Sequence, residues 1–289
     1  MIAIISDIHA NIHALDAVLR DMPKVSEIWV LGDTIGGGPF SCEVFERLLN
    51  LTTPVKAILG NWEEHMLEVR QGGHPDWWES SRYAFLSIAW TVANLKPYHW
   101  EYLDGLKNTL ELDSIPGGVL LYHGSPYDSG AGIETFETAA AVAEKYKQQW
   151  LFGGHIHKTR LFRVGQQRIA AVGSVGLSDD KICGGVAAYT LFDGENLVFR
   201  HVAYDVDTAA AAFLKSEYAE NNDPAITRAC IATMYSGQNY LAHYIDFVMD
   251  YSVKRLGNEI KKFDEVPVDL REEASKAWRL DDWLEAKFK

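Results

Sequence analysis

Short apolar runs that stop abruptly at a polar residue recur along the first two thirds of the chain. Ile2 to Ser6 stops at Asp7, Ile28 to Leu31 at Gly32-Asp33, and Val55 to Leu59 at Gly60-Asn61. Runs of four or five residues with this composition predict buried strands. Between them, Ile12, Leu15, Ala17, Val18 and Leu19 recur at helical spacing, and Cys42 to Leu51 predicts a second helix. Asp7, Asp33 and Asn61 lie 26 and 28 residues apart. That is about the length of one strand–helix–strand unit, so the three polar ends line up on one edge of a parallel sheet. Open α/β sheets hold their ligands along that edge.

From Trp62 to about Asp113 the pattern turns helical and contains five of the nine tryptophans. Strands then return: Val119 to Tyr122 ends in His123, Trp150 to Phe152 in Gly153-Gly154-His155, and Arg168 to Val172 in Gly173. Val186 to Phe192 and Asn196 to Tyr204 flank Asp193-Gly194, a hairpin signal. Beyond Asp205 the chain reads as helices only, including Tyr235 to Val253 and Leu270 to Phe288. Breaks fall at Asp223-Pro224, Ser236-Gly237, Gly257 and Pro267.

Composition narrows the chemistry. Apolar residues make up 47% of 289 residues, an ordinary globular value. The formal charge of −13 gives no global field for a polyanion, so duplex nucleic acid is not an expected partner. Three distant cysteines support neither a disulfide framework nor a zinc ribbon. No basic segment opens the N-terminus and no apolar run reaches about 18 residues, so the expectation is a cytoplasmic protein without a membrane span. The polar residues at strand ends are Asp7, His9, Asp33, Asn61, His123, His155 and His157. Three oxygen ligands and four imidazoles suit Mn, Fe, Zn or Ni better than Mg or Ca. Seven ligands exceed what one ion needs, and two ions sharing a carboxylate fit the set, with Asp33 on the middle strand as the shared ligand. Single histidines such as His201 and His243 receive no function.

Ser6-Asp7-Ile8-His9, Leu31-Gly32-Asp33, Leu59-Gly60-Asn61, Tyr122-His123-Gly124-Ser125-Pro126 and Phe152-Gly153-Gly154-His155-Ile156-His157 together resemble the five motifs of the calcineurin-like metallophosphoesterases. Asn11, Gly36-Gly38-Pro39 and Gly173-Ser174-Val175-Gly176 are similar to the small bacterial and archaeal phosphodiesterase branch. The resemblance covers about residues 1–205. It implies an α/β (α+β) fold, a four-layer αββα sandwich, to which the chain's own pattern adds a helical cap insertion at 62–113 and a C-terminal helical extension at 206–289. It also implies two divalent transition-metal ions, manganese first, then iron, zinc or nickel. One would take Asp7, His9, Asp33 and His157, the other Asp33, Asn61, His123 and His155. Asp33, Asn61 and His123 would be catalytic, and a hydroxide between the ions would attack phosphorus.

One position departs from the pattern. The motif that ends in Asn61 usually reads Gly-Asn-His followed by an acid, but here it reads Gly60-Asn61-Trp62-Glu63. Indole cannot protonate an alkoxide, and loss of a general acid costs about 10²–10⁴-fold with poor leaving groups. His65, one turn further on, is a substitute to consider. Asn11, Trp62, Trp77 and Trp78 are the candidate substrate contacts, the indoles by stacking on a base or aryl group; packing the cap onto the sandwich is the competing use of these rings. The reading is a metal-dependent hydrolase of small phosphoesters, foremost a phosphodiesterase or nucleotide-directed enzyme. Its rivals are a phosphomonoesterase and a non-catalytic scaffold of the same fold. The C-terminal helices either cover the sandwich or build a homo-oligomer.

Overall fold

A computed structural model describes residues 1–73, 82–257, 260 and 265–278. In chain order the elements are β1 (Ile2–Ile5), α1 (Ile12–Asp21), β2 (Glu27–Leu31), α2 (Ser41–Leu49), β3 (Val55–Ile58), α3 (Asn61–Arg70), α4 (Arg82–Asn94), α5 (Pro97–Asp104), β4 (Leu110–Leu112), β5 (Val119–Leu121), α6 (Phe136–Lys145), β6 (Trp150–Gly153), β7 (Thr159–Val164), β8 (Gln167–Val172), β9 (Val186–Phe192), β10 (Leu197–Ala203), α7 (Val206–Leu214), α8 (Glu217–Glu220), α9 (Pro224–Ser236), α10 (Tyr240–Leu256) and α11 (Val268–Ala277). The strands form two five-stranded sheets, ordered β10-β9-β1-β2-β3 and β4-β5-β6-β8-β7. β1, β2 and β3 pair in parallel, as do β5, β6 and β8.

Alternation along the strands assigns the layers. Ile4, Trp29 and Leu31 of the first sheet meet Val119, Leu121, Trp150 and Phe152 of the second in one buried cluster. Their neighbours Ala3, Ile5, Ile28 and Val30 point the other way, against α1, α2, α7 and α9. Leu120, Leu151 and Ile169 point away from the sheet interface onto Ala139 and Val142 of α6. The order is therefore helix, sheet, sheet, helix. Between the sheets Trp29, Trp150, Phe152 and Phe192 pack with ring centroids 4.8–6.2 Å apart. Each such pair adds about 0.5–1.5 kcal/mol beyond its buried area.

Three elements differ from the sequence reading. Leu110-Glu111-Leu112 is an edge strand paired antiparallel to β5, inside a stretch read as helical. Three residues are too few to show a period of two. β7 is an edge strand whose pattern is interrupted by two arginines, and α6 lies in a segment read only for its strands. The cap helices α3, α4 and α5 share a cluster with α2 built on Phe45, Met66, Ile88 and Trp100. Trp77 and Trp78 lie outside the described residues, as does the end of the helix expected at 270–288.

Candidate metal centre

The three parallel strands β1, β2 and β3 end side by side, and backbone hydrogen bonds tie the loops that follow β1 and β2 together. Asp7 N–H donates to Gly32 C=O (3.1 Å), and His9 N–H to Asp33 C=O (3.0 Å). From the second sheet, Gly154 N–H donates to His123 C=O (2.8 Å), and the carboxylate of Asp7 accepts from His155 N–H (3.0 and 3.2 Å). The loops approach so closely that a Cβ on Gly60 would lie 2.2 Å from Asp33 Oδ1, and one on Gly154 would lie 2.0 Å from Ser6 Oγ. Five polar residues at these turns hold left-handed backbone: Asp7, His9, Asp33, His155 and His157, with φ of 47–68°. Aspartate and histidine tolerate that region better than most residues, yet each instance costs on the order of 1–3 kcal/mol. The turns spend that energy to aim side chains at one point.

What they aim is a set of lone pairs. His123 Nδ1 lies 2.6 Å from Leu31 C=O, and His157 Nδ1 lies 2.8 Å from Leu177 C=O. A carbonyl only accepts, so both Nδ1 atoms carry the proton and both Nε2 atoms present lone pairs in the neutral rings. Those lone pairs face other acceptors. His123 Nε2 is 3.1 Å from Asn61 Oδ1 and 3.2 Å from Asp33 Oδ2, and His157 Nε2 is 3.3 Å from Asp7 Oδ1. His9 Nε2 sits 3.0 Å from His157 Nε2, and its buried Nδ1 has no hydrogen-bond partner. His155 Nδ1 is 3.1 Å from Asn61 Oδ1. Two groups of ligand atoms result, Asp7/His9/His157 and Asp33/His123/His155, each within 4.8 Å. Asp33 Oδ2 also lies 3.8 Å from His9 Nε2, between the groups.

Protonation shows the same demand for positive charge. Burial pulls His123 down, but Asp33 and Asp7 outweigh it and push the ring up to about 10. Burial and the neighbouring His157 drop His9 to about 4, so the two rings cannot both take a proton. Burial raises Asp7, but the surrounding imidazoles hold it well below the usual carboxylate range. Carboxylates, an amide oxygen and imidazole nitrogens at these separations fit divalent transition ions.

Glu63 was not among the sequence candidates. It is 1% exposed and its carboxylate accepts from the backbone N–H of Asp33 and Gly60 (both 2.8 Å), Thr34 (2.7 Å) and Ile35 (3.3 Å). Burial and the Asp33 charge raise its pKa to about 7, against those donors. It clamps the loop that carries Asp33 to the start of α3. The available signal was an acid three residues after the strand-ending glycine, which also reads as an ordinary helix cap.

A cavity of about 160 Å³ opens onto the centre. His9, Asp33, Asn61, His155 and His157 line its floor, and Trp62 and Ser87 one side. Phe213, Tyr218, Ile226, Cys230 and Leu241, from α7 to α10, form the opposite wall. The C-terminal helices thus cover the centre, while the cap contributes little more than Trp62 and Ser87 to the described lining. Trp62 also lies edge-on to His9, ring centroids 5.9 Å apart. Asn11 faces elsewhere: it caps α1 by accepting from Ala14 N–H (3.1 Å) and donates to Gly176 C=O and the Tyr204 hydroxyl. His65 is half-buried and lies outside the cavity lining.

Known proteins resemble this chain in sequence and fold. The family model described as the calcineurin-like phosphoesterase superfamily domain matches residues 1–194. An uncharacterized protein of Methanocaldococcus jannaschii is 27% identical over 241 residues, 76% of this chain and 94% of its own. A symmetrical bis(5'-nucleosyl)-tetraphosphatase of Psychromonas ingrahamii is 33% identical over 76 residues, so the chain spans only 28% of that relative's length and 25% of its own. Among solved structures, a metallophosphoesterase from Sphaerobacter thermophilus is 25% identical with a TM-score of 0.65, covering 80% of this chain and 98% of that one. A match that takes in β1 to β9 and their strand-end loops leaves one assignment: the chain belongs to the calcineurin-like phosphoesterase superfamily and is a metal-dependent phosphoester hydrolase.

Proposed function

We propose that this chain hydrolyses phosphoesters at a two-metal centre held by Asp7, His9, Asp33, Asn61, His123, His155 and His157, with Asp33 shared. The observation that carries the reading is the face-to-face placement of acceptors: the Nε2 lone pairs of His123 and His157 point at Asp33, Asn61 and Asp7. Positive charge relieves that arrangement: a proton on His123, whose ring is pushed up to about 10, or cations bound at the two groups of ligand atoms. Two bound ions would supply Lewis-acid activation of a water and compensate charge on the phosphoryl oxygens. Asp7 and Asp33 hold the charge that retains them, and the carbonyls of Leu31 and Leu177 fix the two ring orientations. Manganese is the first metal to test, then iron, zinc and nickel.

The described lining offers no proton donor for a leaving alkoxide. Apart from the ligands, its titratable groups are Tyr218, pushed up by burial, and Cys230, pushed up to about 12 by burial. Trp62 excludes water from the side of His9 but cannot titrate. Leaving groups that depart without a proton, aryl oxides and phosphates, are therefore favoured over alkoxides. Similarity to the tetraphosphatases supports a nucleotide substrate, over their matched quarter only.

The test is metal analysis joined to turnover. After chelation and reloading with Mn²⁺, two equivalents per chain and hydrolysis of p-nitrophenyl phosphate or bis(p-nitrophenyl) phosphate are expected. One equivalent or none at saturating metal would overturn the two-metal assignment.

A further inference from the structure

The loop at 173–185, between β8 and β9, touches the metal centre with one half and the C-terminal helices with the other. On the side of the centre, Leu177 C=O lies 2.8 Å from His157 Nδ1, and Asp179 N–H donates to His157 C=O (2.9 Å). On the side of the helices, Lys181 N–H donates to Gly237 C=O and Gly184 N–H to Tyr235 C=O (both 2.7 Å), where α9 gives way to α10. The fit there is close, since a Cβ on Gly237 would lie 2.3 Å from the Ile182 carbonyl oxygen. Asp179 joins the two halves. Its Oδ1 accepts from the N–H of Asn239, the residue that caps α10 (3.1 Å). Its Oδ2 pairs with Lys158 (2.9 Å), the residue after His157.

We propose that Asp179 is a positioning residue for the metal ligand His157, and that through it the start of α10 helps to set that ligand. The inference rests on the two-metal reading and deepens it: the C-terminal helices take part in holding metal as well as covering the centre. His157 needs such support. Its backbone is left-handed, with φ of 58°, a conformation that a residue other than glycine keeps only where its surroundings over-determine it. Its ring is oriented by the carbonyl of Leu177, two residues before Asp179. A partner that orients a ligand ring typically accounts for about 10–100-fold in metal affinity, so loosening the loop that carries it should cost about tenfold. The groups that the helices contribute to these bonds, two carbonyls and the Asn239 N–H, are all main chain. Side chains of the extension can therefore change without loosening His157.

The test is calorimetric titration of the chelated, full-length chain with Mn²⁺. Asp179→Ala is expected to weaken one of the two sites about tenfold and to leave the other within about twofold. His157→Ala should weaken the same site, and adding Asp179→Ala to it should cost less than about twofold more, because the two residues act as one unit. A merely structural role would lower the melting temperature in both backgrounds and leave Mn²⁺ affinity unchanged. Unchanged affinity overturns the proposal, and so does a full further loss in the double variant. The link to α10 is tested by Asn239→Pro against Asn239→Ala, a pair that also serves if Asp179→Ala does not fold. Both lose the side-chain cap on Ala242, and φ of −70° at this position suits proline. Only proline lacks the N–H that Asp179 accepts, so only Asn239→Pro should weaken the site; equal affinities overturn the part given to α10. If the wild type binds fewer than two Mn²⁺, the two-metal reading fails, and NMR of the metal-free chain decides the positioning separately. The His157 Nδ1–H, shielded by Leu177, should then exchange with water about tenfold faster in Asp179→Ala, and an unchanged rate refutes it.

Discussion

Asp33 is placed to do more than any neighbouring side chain. One oxygen faces His123 and His9, the other accepts from Trp62 N–H (3.0 Å), and its backbone N–H is held by Glu63. Asp33→Asn should therefore abolish turnover more completely than Asn61→Asp, which keeps an oxygen ligand and adds charge. Near-wild-type rates for Asp33→Asn at saturating Mn²⁺ would refute the shared role. Glu63→Gln turns an amide NH₂ toward backbone donors. Burying such mismatched groups costs about 1–3 kcal/mol each, and the variant should lose both melting temperature and metal affinity; unchanged metal content and stability would show that Glu63 is dispensable. Trp62→His should raise kcat for alkyl esters more than for p-nitrophenyl esters, since only the former need a proton. Trp62→Ala is the control, and equal gains in both variants would mean that the indole acts by bulk. Ligand candidates were legible because each ends an apolar run, whereas Glu63 acts from inside a helix, where acids are commonplace.

Among the elements, α1 shows how a site motif and a structural device overlap. Asn11 follows the first motif directly, which is why it reads as a substrate contact, but its amide oxygen caps the helix and its nitrogen bridges Gly176 and Tyr204. Removing a cap of this kind typically costs about 1 kcal/mol, and the two further hydrogen bonds bring the expectation for Asn11→Ala to about 2–3 kcal/mol. KM for an aryl ester should not move; a KM change without a stability loss would return Asn11 to the substrate. Buried strands such as β1, β2 and β6 were readable because both faces are apolar. β4 and β7 were not, since edge strands carry polar residues and need fewer than a full run of apolar ones.

Taken whole, the molecule places its long-range surprises where periodicity carries no information. Apolar faces on α7, α9 and α10 announce that these helices bury something, but their pattern cannot say that part of what they cover is the metal centre. The centre also couples chemistry to stability: cations that bind only the folded chain stabilise it by about 2.7 kcal/mol at a hundredfold excess over Kd. Chelation should thus lower the melting temperature by about 5–10 °C at about 2–4 °C per kcal/mol. The metal itself should be held less tightly as pH falls, because protons compete with it for each imidazole, above all at His123, whose ring Asp33 and Asp7 push up to about 10. A melting temperature indifferent to chelation would argue that the turns hold their left-handed backbone unaided.

The residues proposed to break the bond all precede position 160, within the stretch that matches the family, whereas the wall opposite them begins at Phe213, past its end at 194. The two traits are thus written in separate passages of the chain. Descendants that alter the later passage would change part of the surface a substrate meets while inheriting the old scissors, and kinship read from the first 194 residues would report how such proteins cut more fully than what they eat.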